Sequence, residues 1–123
     1  MPVFNEGRYP GEFLLTEANG QRSRATATIA LGSGIIAPGT VLGRLTASGK
    51  YAPSPDTGSD GSETAVAIAL YGCDATDADR KIAIITRDAE VKGPVLTFDP
   101  SVDDDTKRAA KAAQLAAAGI IVR

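Results

Sequence analysis

Glycine and proline divide most of this chain into short apolar stretches, and this spacing constrains the fold more than any other feature. The 123 residues include 13 glycines and 7 prolines, some in pairs such as Pro38-Gly39 and Gly93-Pro94. Such pairs mark turns, and about six strand-like stretches lie between the turns at roughly 10-residue spacing. Strands at that spacing, without regular alternation with helices, predict a mainly β, sandwich or barrel-like domain.

The clearest strand is TAVAIALY, from Thr64 to Tyr71, in which alanine alternates with larger aliphatic residues. Successive side chains of a strand point to opposite faces, so one face carries the larger residues and the other carries alanines. A face of alanines lets another surface approach closely. We therefore expect a packing or subunit contact that uses these alanines and one leucine of the C-terminal helix: Ala65, Ala67, Ala69 and Leu115.

The C-terminal sequence SVDDDTKRAAKAAQLAAAGIIVR predicts one α-helix, over residues 102–118. Ser101 is a suitable N-cap, and aspartates in the first turn complement the helix dipole. Gly119 suits the position just after the helix, and the apolar residues that follow predict a last short strand. Leu115 is the only large aliphatic residue inside the helix, so the helix is expected to pack close to a sheet or a second subunit. Three basic residues are expected to form a solvated edge: Lys107, Arg108 and Lys111.

Residues 1–24 are predicted to form an N-terminal arm in front of a β-rich domain at residues 25–123. The apolar residues of the arm are too few and too scattered to form a core of their own. Two interpretations stay open: a disordered tail, or a segment that adds a strand to a partner. The second is favoured because a Phe-Leu-Leu run is unusual in a tail that stays in water, and removal of residues 1–20 should then leave the domain folded. The partner-binding segment is expected at Glu12, Phe13, Leu14, Leu15 and Thr16.

The absence of histidine excludes most catalytic chemistry. Histidine is the side chain whose ordinary pKa suits proton transfer near neutral pH, and without it no Ser–His or Cys–His nucleophile can form within the chain. We therefore predict that the protein is not an enzyme and uses no cofactor or metal. Cys73 is expected to be a small buried residue. The stretch PSPDTGSDGSE, residues 53–63, is the most polar part of the chain and is expected to be a solvated surface loop. A calcium site there is disfavoured, because its acids do not have the spacing of an EF-hand.

Charge and hydropathy argue against two further kinds of partner. The net charge is −2, with 13 basic residues spread among 15 acidic ones, so nucleic acid is not an expected partner. No apolar run approaches the roughly 20 residues of a membrane span, and the N-terminus lacks the pattern of a signal peptide. The single cysteine points to a reducing cytoplasm as the place of synthesis.

Five segments spread over almost the whole chain carry a resemblance to a known family. In chain order they are EFLLTEANGQRSR, PGTVLGRLTASGKY, DGSETAVAIALY, TRDAEV and DDDTKRAAKAAQLAAAGIIV. Their order resembles that of the head decoration, or capsid cement, proteins of tailed bacteriophages, the family of the lambda decoration protein D. The resemblance runs from about Gly11 to the C-terminus. It depends on the order of the segments, since none of them is a catalytic signature.

The resemblance implies a small β-rich fold with a short helical part and a structural role in the virion. Members bind as homotrimers to the outer surface of the expanded capsid, at three-fold and quasi-three-fold positions. There they hold neighbouring subunits of the major capsid protein together against the pressure of packaged DNA. The resemblance also implies that the arm, here around Glu12 to Thr16, orders against capsid strands. Synthesis in the cytoplasm of the host bacterium is implied as well.

Two other functions remain as alternatives. A small β domain could bind a carbohydrate through the loop at 53–63, although sugar-binding platforms usually present aromatic side chains and Tyr51 is the only one nearby. An enzyme would need Cys73, or a carboxylate pair such as Asp74 and Asp77, in a cleft. Stabilisation by a small ligand would favour either alternative, whereas a cement protein should respond only to capsids.

Overall fold

The structure is a computed structural model that describes residues 11–18 and 22–123. Ten strands and one α-helix lie in these ranges, which confirms the predicted mainly β fold with a C-terminal helix. The helix, α1, spans Asp105–Ala117. The strands are β1 (Leu14–Glu17), β2 (Arg24–Ile29), β3 (Gly34–Ile36), β4 (Val41–Arg44), β5 (Tyr51–Pro53), β6 (Ala65–Ala69), β7 (Cys73–Ala75), β8 (Arg80–Ile85), β9 (Ala89–Val91) and β10 (Ile120–Val122).

Five strands close into a small barrel in the order β2-β5-β4-β6-β8. β2 pairs antiparallel with β8 over the full length of both strands. Outside the barrel, β1, β9 and β10 form a three-stranded sheet, and β3 pairs with β7. β1 runs antiparallel to β9, whereas β10 runs parallel to it. Because each barrel strand has a strand partner on both sides, the strands with one whole edge unpaired, within the described residues, belong to the two smaller sheets: β1, β3, β7 and β10.

The core consists of two apolar clusters that meet at β6. Ile68 and Leu70 belong to the cluster between the barrel, the three-stranded sheet and α1. Ala67 and Ala69 belong to the other cluster, which joins the barrel strands to β3 and β7. The alternation predicted from the sequence of β6 holds from Ala67 onwards. Before it, at the register shift, Ala65 belongs to the same cluster as Ile68, and Val66 packs against the other cluster. Both faces of the strand are packed within the chain.

A close backbone approach explains one glycine of the barrel. A Cβ atom at Gly43 would lie 2.0 Å from the carbonyl oxygen of Ser62, so only glycine fits at this position of β4. The pairing of β4 with β6 also shifts register here, between the pairs Leu42–Ala67 and Gly43–Ala65. The last turn of the polar loop is thereby packed directly against the barrel.

The helix starts later than predicted, and its N-cap is Asp104 instead of Ser101. The Asp104 carboxylate accepts a hydrogen bond of 2.8 Å from the Lys107 backbone N–H. The Ser101 hydroxyl instead donates to Asp99 at 2.6 Å and accepts from the Asp56 backbone N–H at 2.9 Å. Val102 is buried, so its place in the core holds this segment as a loop. At the other end, the predicted Gly119 turn (φ +91°) and the strand after it are confirmed.

Lys111 was expected in a solvated edge, and this prediction is wrong. Its side chain is 2% exposed, and its ammonium group donates to the Ser54 hydroxyl at 3.0 Å and to the backbone carbonyls of Pro55 and Glu63. Burial lowers the pKa of Lys111, while the nearby Asp56 and Glu63 carboxylates oppose that change. The ammonium thus joins α1 to both ends of the polar loop at 53–63.

The polar loop at 53–63 lies on the surface, as predicted from its composition, and residues 57–60 are exposed. Near its two ends, Ser54 and Ser62 are buried. Asp60 accepts hydrogen bonds from the backbone N–H of Ser62 at 3.0 Å and from its hydroxyl at 2.6 Å, and these bonds lower the pKa of Asp60. Glu63 accepts a bond of 2.8 Å from the Gly61 N–H. The loop is therefore solvated in its middle and held to the domain near its ends.

Lys111→Met should destabilise the fold by about 2 kcal/mol or more, because it removes the donor to one buried hydroxyl and two partly buried carbonyl oxygens. The measurement is urea unfolding at neutral pH. Lys107→Met is the matched control, since Lys107 lies one turn earlier and forms a surface ion pair of 3.0 Å with Asp103. The loss from Lys107→Met should be clearly smaller than that from Lys111→Met, because surface ion pairs contribute little to stability. Equal losses in the two variants would contradict the role assigned to Lys111.

Candidate interaction surface

The residues predicted for a packing or subunit contact lie inside the chain. Ala65, Ala67, Ala69 and Leu115 are all 0% exposed. Their close neighbours are other parts of the same chain; for example, the Ala65 N–H donates to the Gln114 side chain at 2.8 Å. These four residues serve intramolecular packing, and a contact with another subunit has to use other residues.

The predicted partner-binding segment divides into a buried part and an exposed part. Phe13 is 1% exposed and belongs to the cluster between the barrel and α1, and Leu14 packs against the same cluster. Leu15 is 45% exposed, and Glu12 and Thr16 are exposed as well. The segment is thus attached to the domain by Phe13 and presents the side chain of Leu15 outward.

The folded domain was predicted to begin after residue 24. In the structure, the folded region already includes residues 11–18 and 22–24. Removal of residues 1–20 would take away β1 and the buried Phe13 ring, so the expectation that this truncation leaves the domain intact is not supported. The rest of the predicted arm, residues 1–10, and the predicted turn at Asn19-Gly20 lie outside the described residues.

A buried serine holds β1 against the rest of the domain. Ser23 is 0% exposed; its hydroxyl accepts a bond of 2.9 Å from the Ala18 N–H and donates one of 2.8 Å to the Asp88 carbonyl. Asp88 adopts a left-handed conformation (φ 51°) at the turn between β8 and β9. One side chain therefore links the end of β1, the start of β2 and this turn.

An ion pair between β1 and β2 supports the same arrangement. The Arg24 guanidinium donates two hydrogen bonds to the Glu17 carboxylate, at 2.9 and 2.7 Å. The hydrogen bond to Arg24 holds the pKa of Glu17 below its ordinary value of 4.5. The two-pronged geometry is the favourable one for an arginine–carboxylate pair. β1 is thus held in place by packing, by Ser23 and by this pair.

β1 is an edge strand with an exposed apolar side chain. Within the described residues, its only strand partner is β9. An unpaired strand edge offers backbone N–H and C=O groups to another strand. Four further large apolar residues, none of them assigned to a contact from the sequence, are also exposed: Leu31, Ile35, Tyr71 and Ile121. Strand alternation was the available signal for Ile35, since its neighbour Ile36 is 2% exposed and successive side chains point to opposite faces.

The residues considered for catalysis have ordinary structural environments. Burial raises the pKa of the Cys73 thiol, so the reactive thiolate is disfavoured. The Asp74 carboxylate accepts a hydrogen bond of 3.0 Å from the Thr76 N–H, two residues on, which lowers the pKa of Asp74 and orders the turn.

No helix in the part of the chain that the structure describes is long and apolar enough to cross a membrane.

Comparison of the sequence with models of protein families identifies the family of this chain. The family model described as bacteriophage lambda head decoration protein D matches residues 3–120, almost the whole chain. The chain belongs to this family. A search of curated proteins found no match.

Membership of the decoration family confirms the resemblance seen in the sequence and gives a coarse functional class. These are structural proteins of the phage head and not enzymes, so membership implies association with the capsid and a place in the virion. The β-rich fold of the decoration protein agrees with that assignment.

The Glu17–Arg24 pair makes a testable contribution to stability. Since the pKa of Glu17 is lowered in the folded protein, the contribution is present above its ordinary value of 4.5 and disappears as pH falls through the folded pKa. Glu17→Gln should cost up to about 1 kcal/mol at pH 7, because both side chains are partly exposed, and nothing at about pH 2. In an Arg24→Gln background this pH-dependent difference should vanish. A difference of the same size in both backgrounds, measured by urea unfolding from pH 7 to pH 2, would contradict the pairing.

Proposed function

We propose that the chain is a capsid decoration protein that binds as a homotrimer to the outside of the expanded phage head, at three-fold and quasi-three-fold sites. Its partner there is the major capsid protein, and its effect is to stabilise the head against the pressure of packaged DNA. The family match over residues 3–120 carries the proposal. The protein is made in the cytoplasm of the host and acts on the outer surface of the virion.

The stabilisation follows from selective binding. A protein that binds the expanded head but not its precursor lowers the free energy of the expanded state alone and shifts the equilibrium towards it. The shift grows with the number of bound copies, so a modest affinity per copy is sufficient. A trimer adds to this effect, because attachment of one subunit raises the effective concentration of the other two at their sites.

The edge of β1 is the part of the described chain that we assign to the capsid. Leu15 supplies an exposed apolar side chain, and the backbone of β1 supplies the hydrogen-bonding groups for strand addition. Glu12 and Thr16 flank Leu15 and are exposed. Phe13 contributes indirectly: its buried ring holds the segment, so this edge is already ordered before it meets a partner and loses little conformational entropy on binding.

The carbohydrate-binding alternative gains no support from the loop at 53–63. Several of its polar groups form bonds within the domain: Asp60 with Ser62, Glu63 with Gly61 and the Ser54 hydroxyl with Lys111. No large apolar residue of this fully described loop is exposed, so the loop offers no aromatic platform for a sugar.

The direct test is co-sedimentation of the purified protein with expanded and unexpanded heads of its own phage. Saturable binding to expanded heads alone, near three copies per local three-fold site, is expected. Binding to neither form, or equal binding to both, would contradict the proposal.

Leu15→Asp should weaken attachment to expanded heads about tenfold or more, because it places a charge in an apolar strand contact. Ile121→Asp is the matched control: Ile121 is similarly exposed, 39% against 45%, but lies in β10, on the opposite edge of the same sheet. Both variants should unfold at similar urea concentrations. If the two weaken attachment equally, the β1 edge is not the capsid contact.

A further inference from the structure

A surface cleft of about 340 Å³ lies where β2 and β8 meet the end of β6. Two small residues line it, Ala25 and Ala83, together with the larger Arg24, Thr26 and Tyr71. Tyr71 is 47% exposed, and Thr26 is exposed as well. We call this depression the β2–β8 cleft. Small side chains between larger ones leave room there for a side chain of another protein.

The β2–β8 cleft borders β1, the end strand of the three-stranded sheet. At the C-terminal end of β1, the Glu17 carboxylate accepts two hydrogen bonds from Arg24, which lines the cleft. Just before β1, Gly11 lies beside Leu70: a Cβ atom at Gly11 would be 3.9 Å from the Leu70 side chain. The next residue in the chain is Tyr71, which also lines the cleft. Both ends of β1 are therefore next to the cleft or to its immediate neighbours.

The lining of the β2–β8 cleft favours a neutral side chain. Among the described residues that line it, only Arg24 carries a charge, and Glu17 neutralises that charge through bonds of 2.9 and 2.7 Å. The hydroxyl groups of Thr26 and Tyr71 form no hydrogen bond with another described residue. The cleft thus offers small apolar residues, an aromatic ring and two available hydroxyl groups.

The neighbouring strand edge indicates what occupies the cleft. Within the described residues, β1 is paired on one side only, with β9. The backbone groups of its other edge are suited to hydrogen bonds with an extended strand. When a strand is added to a sheet edge, the backbone bonds supply affinity, and pockets for alternate side chains supply specificity. A strand added to β1 has the β2–β8 cleft beside it, so one of its side chains can enter.

We propose that the β2–β8 cleft receives a neutral side chain of the capsid strand that adds to β1, and that Thr26 and Tyr71 determine which side chain fits. The inference rests on the proposed function and deepens it by assigning the residues that distinguish one capsid strand from another. It also gives a reason for a defined register. A strand that shifts by one residue turns its side chains to the opposite face, so occupation of the cleft selects one register of the added strand.

Filling the cleft tests its role. Thr26→Tyr places a large side chain in the cleft and should weaken attachment to expanded heads about tenfold or more, measured by co-sedimentation over a range of protein concentrations. Thr28→Tyr is the matched control. Thr28 lies two positions further along β2, on the same face of the strand, but pairs with Lys81 and does not line the cleft. Its attachment should equal that of the unmodified protein.

Photochemical cross-linking identifies the occupant and does not depend on how well Thr26→Tyr folds. The photoreactive residue p-benzoylphenylalanine replaces Tyr71 and keeps an aromatic ring at the cleft. The protein is bound to expanded heads, irradiated and analysed by mass spectrometry. A covalent product with the major capsid protein is expected.

The outcomes separate this inference from the proposed function. If the unmodified protein binds expanded heads, a product formed only with residues 1–10 of the same chain or with a second copy overturns the inference alone, as does the absence of any product. Equal attachment of Thr26→Tyr and Thr28→Tyr, both folded, also overturns it and leaves the capsid role intact. If the unmodified protein binds no heads, the proposed function and the inference both fail.

Discussion

The apolar contact between the barrel and the layer formed by α1 and the three-stranded sheet is the interaction on which the rest of the structure depends. Ile68 and Leu70 supply the barrel side; Val91, Leu115 and Ile120 supply the other. Strands of three or four residues and a helix of 13 residues are too short to be stable alone in water. Only two side chains of the helix are buried, Leu115 and Lys111. The outer layer therefore exists because this cluster fixes it to a closed barrel.

The same cluster determines how the N-terminal segment is presented. Phe13 inserts its ring there, Leu14 covers the margin, and Leu15 remains outside. Of these three consecutive apolar residues, Phe13 and Leu14 pack with the core and Leu15 is exposed. The burial of Phe13 therefore also fixes the position of Leu15. This connection explains why truncation through Phe13 cannot separate stability from binding, whereas substitution of Leu15 can.

Much of the fold could be predicted from local patterns, because turns and alternation are local properties. The strand at Thr64–Tyr71, the turn at Gly119 and the strand after it appear as predicted. The burial of both faces of β6 could not be predicted in the same way, since it follows from barrel closure. Residues that were read as a possible subunit contact, such as Ala67, consequently lie in the core.

Lys111 shows the limit of sequence reasoning most clearly. A lysine between alanines on a helix is ordinarily solvated. Here its burial depends on oxygens of Ser54, Pro55 and Glu63, which are about 50 positions away and are brought together only by the complete fold. The exposed Ile35 is a related case: the sequence marked a turn near it, but its exposure depends on which neighbours the barrel leaves beside it.

The polar groups of this domain are largely satisfied within it. Within the described residues, every buried side-chain nitrogen or oxygen has a hydrogen-bond partner. Recognition of other proteins therefore uses groups on the surface, among which are the exposed apolar side chains and the edge of β1. Leu15 on β1 and Ile35 on β3 belong to different sheets. In the trimer that we propose, attachment of one β1 edge brings two more edges close to their sites, which increases attachment without any change in the capsid contact itself.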